Sequence, residues 1–179
     1  MPETYRRNRA NAWHYGHDDL PQIRQTLLDV HADAYTDDMT EFDERFPWFV
    51  DHWGDNPGFA CAIGYDSEEP VGFAYGAPAT SGREWWREHV STPPTDDSTF
   101  HVSELMVRPQ WRKTGTAERL HAALLESRPE ALAALLVDPD HPKVQALYET
   151  WQYRKVGNRQ PVLDSPNFAV MLRDLRAAA

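Results

Sequence analysis

Apolar positions recur along this chain with two periods, and the switching between them predicts its elements. Leu20, Ile23, Leu27, Val30 and Ala34 fall on one helical face, with Asp19 as the cap and Pro21 in the first turn. A second helix is predicted after Thr40, whose spacing to Asp43 has the form of a capping box. Phe42, Phe46, Phe49, Val50 and Trp53 line its face, and Pro47 limits the regularity of its start. A short first strand is read near residues 12–15. Residues 58–66 and 71–77 read as strands joined by the polar turn Ser67-Glu68-Glu69-Pro70, a hairpin. In the second of these, Val71, Phe73 and Tyr75 alternate with Gly72, Ala74 and Gly76. One side is bulky and the other bare, as happens where a helix or a ligand comes close, and tight helix packing is the simpler cause.

Residues 78–99 form the longest irregular stretch, interrupted by Arg83-Glu84-Trp85-Trp86-Arg87. The paired tryptophans are either a stacking wall for a substrate or a plug at the edge of the core, and the plug is the plainer reading. Residues 131–137 are seven consecutive apolar positions, the pattern of a buried parallel strand. Val144, Leu147, Tyr148 and Trp151 make another helical face, and two last strands are read near residues 153–156 and 168–172. The order β-α-α-β-β-β-α-β-α-β-β predicts an α+β fold, a mixed sheet flanked by helices. Its 179 residues suit one domain with a sizeable core.

The most informative stretch is residues 100–125, FHVSELMVRPQWRKTGTAERLHAALL. An alternating strand leads through Pro109 into a basic loop with a single glycine and then into a helix. Backbone N–H groups, the helix dipole and two cations, Arg112 and Lys113, there make an anion cradle suited to a diphosphate. Neither the P-loop spacing nor the dinucleotide glycine pattern is present. On the strand, Glu104 shares a face with Phe100, Val102 and Met106, so it is either a strand-end carboxylate in solvent or a partly desolvated group with a raised pKa.

This segment resembles the acetyl-CoA-binding motif of the GNAT acetyltransferase superfamily, Arg/Gln-x-x-Gly-x-Gly/Ala, with Arg112, Gly115 and Ala117 in its three places. A second match is HPKVQALYETWQYRKVG, residues 141–157, similar to the family's later helix, with Tyr148 on the tyrosine place. His141 stands where Asn is usual, Val144 where Ala is usual and Gln152 where a turn glycine is common. The resemblance implies a three-layer fold with a mostly antiparallel central sheet and acetyl-CoA as co-substrate. It places Met106 and Val107 N–H groups on the thioester. Arg112, Lys113, Thr114, Gly115, Thr116 and Ala117 fall on the phosphates, and His141 beside the pantetheine arm. It also makes the helix pair and its connection, residues 35–39, walls of the acceptor site.

The chemistry so implied is acetyl transfer to a primary amine, with Tyr148 protonating the CoA thiolate and Glu104 as the candidate base. By helical periodicity alone, Tyr148 reads as a packed core residue. The acceptor is a small-molecule amine or a protein amine. A CoA-binding module without catalysis and an acyltransferase for longer acyl chains remain alternatives. Lys and Arg total 18 against 28 Asp and Glu, a net charge of −10. That balance argues against nucleic acid and anionic membrane surfaces and suits a cationic substrate. Cys61 is the single cysteine, which fits a reducing compartment. His14 and His17 lack a third ligand, so no metal is expected. No segment has the apolar length of a membrane span or of a signal peptide core, and a cytoplasmic location is the expectation. The resemblance also allows a homodimer.

Overall fold

The computed structural model describes residues 11–35 and 39–176. The middle of the connection read as part of the acceptor wall lies outside the described residues. Seven strands are hydrogen-bonded in the order β1-β2-β3-β4-β5-β7-β6. By its contacts the chain forms two compact units: residues up to Ala77 with Glu104–Ser127, and Pro78–Ser103 with the residues from Arg128 on.

The first unit opens with β1 (Ala12–Gly16) and α1 (Leu20–Ala34). α1 buries Ile23, Leu27 and Val30 as its periodicity predicts, together with His31. Asp19 makes no side-chain cap on α1. Its Oδ2 accepts the Gly16 N–H at 2.8 Å and closes the single turn that precedes the helix. The capping box at Thr40 forms in full. Thr40 N–H and its hydroxyl donate to Asp43 Oδ2 at 2.9 and 2.6 Å, and Asp43 N–H donates back to Thr40 Oγ1 at 3.2 Å. A turn at Asp43–Arg45 then feeds α2 (Phe46–Gly54).

β2 (Ala60–Asp66) and β3 (Glu69–Pro78) form the expected hairpin, but Asp66 pairs with Glu69. The turn is therefore just Ser67-Glu68, with Ser67 at φ 54°. The core between the sheet and α1–α2 gathers Phe46, Val50, Phe59, Ile63, Phe73 and Tyr75. Cys61 is buried there, which pushes its thiol well above the ordinary value. α3 (Thr116–Leu125) packs on β1 and β2 and buries Thr116, Leu120, His121, Ala123 and Leu124. Ala117, predicted on that face, is half-buried.

The second unit holds β5 (Leu132–Val137), α4 (Pro142–Thr150), β6 (Arg154–Arg159) and β7 (Phe168–Asp174). β7 is antiparallel to both β5 and β6, and β6 carries a bulge between Lys155 and Gly157. β4 (Thr99–Val107) runs parallel to β5, from the pair Thr99↔Leu132 to Val102↔Leu135. The tryptophan pair divides its roles. Trp86 is fully buried among Leu132, Ala134, Val170 and Leu172 and donates to Thr99 Oγ1 at 2.9 Å, so it is the plug. Trp85 is half-buried and stacks on His101, ring centroids 3.8 Å apart.

On α4 the predicted face is narrower than its periodicity suggested. Tyr148 is buried, but Val144 is 41% exposed and Leu147 43%. Periodicity reports which side chains share a side, not how far the neighbouring layer reaches along it.

The bare side of β3 has a more specific cause than helix packing. A Cβ on Gly72 would lie 2.6 Å from the Met106 carbonyl oxygen and 3.1 Å from both Val107 Cα and Leu120 Cδ1. Backbone cannot yield as a side-chain tip can, so the glycine fixes how closely Met106 and Val107 approach β3. Gly72→Ala is expected to lower unfolding free energy by about 1–3 kcal/mol. Urea denaturation that gave an unchanged midpoint would contradict this close approach.

Candidate active site

The loop after β4 is tied down at several points. Arg108 N–H donates to Val71 O at 2.8 Å, and its guanidinium donates to Pro70 O at 2.9 Å and to Asp33 Oδ2 at 3.1 Å. After a single turn at Pro109–Trp111, residues 112–115 lie exposed. Arg112 donates to the carbonyls of Ala34 at 3.0 Å and Val107 at 3.4 Å, so it braces the loop between α1 and β4. The Thr114 hydroxyl donates to Trp111 O and stands 2.7 Å from Thr116 Oγ1. Arg119, which the sequence reading missed, donates to Thr114 O at 3.2 Å and to Thr116 Oγ1 at 3.1 Å. Its i+3 spacing from Thr116 was the available signal.

Lys113 and Gly115 both take left-handed backbone, at φ 61° and 79°. Gly115 is the N-cap of α3, and the first helical bond runs from Arg119 N–H to Gly115 O. The N–H groups of Thr116, Ala117 and Glu118 therefore precede the ladder, at the positive end of the helix dipole. Open loop, left-handed glycine, leading N–H groups and adjacent cations are the features a diphosphate needs, so the residues present fit CoA.

Glu104, Met106, His31, Tyr35, Phe42, Asp43, Phe46 and Phe49 line one small cleft of about 20 Å³. Glu104 sits on the Met106 side of β4, as its alternation predicts. Burial pushes its carboxyl up to about 8, and the charge of Asp43 adds to the rise. His31 is lowered by burial, against the pull of Asp43, and its ring stacks on Phe46 at 4.0 Å. Phe42 and Phe49 meet at 5.2 Å. His31 was not read as a site residue, and Asp43 was read only as a cap. A larger hollow of about 340 Å³ is lined by Tyr65, Asp66, Trp111, Thr114, Thr116 and Arg119 among others. It shares two threonines with the loop but neither of the carboxylates of the small cleft.

The remaining predicted residues belong to the second unit. His141 is exposed and stands at the N-cap of α4 without a side-chain cap bond. The Tyr148 ring meets Trp151 and Tyr153 edge-on, with centroids 5.2 and 5.7 Å away. Burial, with Tyr148 as the next cause, pushes the Tyr153 phenol well above its ordinary value. Met106 and Val107, which belong to the first unit, lie beyond the stretch of β4 that pairs with β5.

Residues 20–152 match the model of the acetyltransferase (GNAT) family. The chain belongs to the GNAT acetyltransferase family. No curated protein matches it. Among solved structures, an aminoglycoside 6'-acetyltransferase type Ii aligns at 18% identity, covering 94% of this chain and 99% of that one, with a TM-score of 0.65. An aminoglycoside 6'-N-acetyltransferase complexed with coenzyme A aligns at 16%, covering 93% and 98%, with a TM-score of 0.60. A GNAT-family acetyltransferase from Bacillus cereus aligns at 14%, covering 92% and 96%, with a TM-score of 0.59. At such identities the likeness establishes the GNAT fold, a mixed sheet flanked by helices. Among the described residues, no helix is long and apolar enough to cross a membrane. Nor do three His, Cys, Asp or Glu side chains group as a metal set there.

The raised Glu104 pKa has a signed consequence for stability. The folded state keeps this proton to higher pH than the unfolded chain, so its stabilising contribution is full below about 4.5 and is lost as pH rises through about 8. Glu104→Gln should remove that decline, leaving the variant more stable than the parent above the window. Denaturation at a series of pH values checks it, and parallel stability curves for the two proteins would refute the burial of this carboxyl.

Proposed function

We propose that the chain transfers an acetyl group from acetyl-CoA to a primary amine by direct attack. The observation that carries this reading is the coexistence, in one compact unit, of the anion-ready start of α3 and the cleft around Glu104. The family to which the chain belongs supports acetyl-CoA as donor.

Each step falls to named groups. The N–H groups before the α3 ladder hold the diphosphate, with Lys113 adding charge. Backbone N–H groups of Met106 and Val107 donate to the thioester oxygen as negative charge gathers on it. Glu104 accepts a proton from the acceptor ammonium, directly or through water. A carboxyl near 8 is far better matched to an ammonium near about 10.4 than an ordinary carboxylate is. The freed amine nitrogen forms its bond to the carbonyl carbon, the carbon–sulfur bond breaks, and Tyr148 gives its proton to the departing sulfur. The edge-on contacts with Trp151 and Tyr153 support a fixed ring direction for that transfer. Positioning by the loop supplies much of the rate in this scheme.

Release of CoA thiol with an amine panel, against a control without amine, tests the reading. Release no faster than the control would favour a CoA-binding module instead. Tyr148→Phe is expected to lower kcat by about 10²-fold with little change in CoA affinity; near-normal turnover would remove Tyr148 from the mechanism. Gly115→Trp is expected to abolish CoA binding, and its left-handed backbone should add a stability cost of about 1–2 kcal/mol. Calorimetry with unchanged CoA affinity in this variant would place the phosphates elsewhere.

A further inference from the structure

The cleft around Glu104 is too small for most of any acceptor. A volume of about 20 Å³ admits one water-sized group, and an ammonium head is of that size. What surrounds the head is uneven in charge and in kind. Two carboxyl groups, Asp43 and Glu104, line the space, and its other walls are the rings of Tyr35, Phe42, Phe46 and Phe49, Met106 and His31. Ring faces favour a cation.

Asp43 is held more firmly than an exposed carboxylate normally is. Thr40 donates to its Oδ2 through both N–H and hydroxyl, so its position is tied to the turn that precedes α2. Its charge reaches two other groups of the cleft, since it acts to raise both Glu104 and His31. In a chain of net charge −10 such a negative field has no need to be concentrated here for solubility.

We propose that the acceptor is a cation presenting its primary amine on an unbranched methylene arm, and that Asp43 is the residue that selects it. This rests on the acetyl-transfer reading above and names the acceptor class for the same site. The ammonium enters beside Asp43 and Glu104, while its arm leaves between the rings of Phe42, Phe49 and Tyr35. A second substituent on the carbon next to nitrogen would need space the cleft lacks. A neighbouring carboxylate, as in a free amino acid, would add a further negative charge beside Asp43. The arriving cation also counters the influence of Asp43 on Glu104 and favours its ionised form, so the acceptor helps to prepare the base that takes its proton. Free diamines and lysine side chains share this chemistry.

The test uses the full chain with four acceptors: a linear alkyl diamine, a lysine peptide with a blocked N-terminus, isopropylamine and glycine. Acceptor binding is titrated calorimetrically in the presence of CoA, and acetylation is followed by thiol release with acetyl-CoA. The diamine or the peptide should bind and be acetylated, the better of the two naming the source. Isopropylamine and glycine should have kcat/KM at least about 10-fold lower. Asp43→Asn keeps a cap acceptor for Thr40 and should raise KM for the preferred acceptor about 10-fold with kcat within about threefold. Phe49→Leu should also raise KM, and both variants should bind acetyl-CoA as the parent does. Equal use of isopropylamine or glycine, or an unchanged KM in Asp43→Asn with normal folding, overturns the proposal. If the parent fails to bind acetyl-CoA in a separate titration, the acetyl-transfer reading falls. The binding titration with the diamine, isopropylamine and glycine then still decides the selection by Asp43.

Discussion

A helix that begins on a glycine in left-handed backbone must present its first N–H groups to whatever lies before it. In this chain that start is exposed, and its geometry survives because side chains anchor it from several directions. Arg119 reaches back from α3 to Thr114 and Thr116, Arg112 ties the loop to Ala34 and Val107, and Arg108 joins the end of β4 to Pro70, Val71 and Asp33. Without such ties, an exposed loop with two left-handed residues would give up its shape to conformational entropy. Arg112, which looks like an anion ligand in a linear reading, is thus also one of the braces that hold the leading N–H groups in place.

The second constraint is electrostatic. An acidic protein places a carboxyl where burial and another acid both resist its ionisation, and the result is a proton affinity raised to about 8. Burial also lowers His31, there against the pull of Asp43. Loop and cleft differ in charge: leading N–H groups and Lys113 stand at the helix start, and Asp43 stands beside Glu104 in the cleft. Gly72 connects the two in packing, because its missing side chain lets β3 approach the backbone of Met106 and Val107.

Much of this was legible from local order. Hydrophobic periodicity located α1, the capping box at Thr40 located the approach to α2, and an unbroken apolar run located β5, because each depends on residues a few positions apart. The sequence of strand, basic loop and helix located β4, the exposed loop and the start of α3 for the same reason. Local signals failed where the answer lay in what packs opposite. Val144 and Leu147 obey a helical face that nothing covers fully, and Trp85 differs from Trp86 although their chemistry is identical. The turn after β2 is shorter than its polar composition implied, since cross-strand register set it.

The chain by itself determined the elements, the family motif and the residue types available for acetyl transfer, since spacing along the backbone suffices for those. Tertiary structure decided that Glu104 lies half-buried and that it shares one cleft with Asp43 and His31. It also showed Gly72 answering to a strand as well as to a helix. Those outcomes arise from dielectric and steric neighbours brought together from distant positions, and no pattern along a single segment contains them.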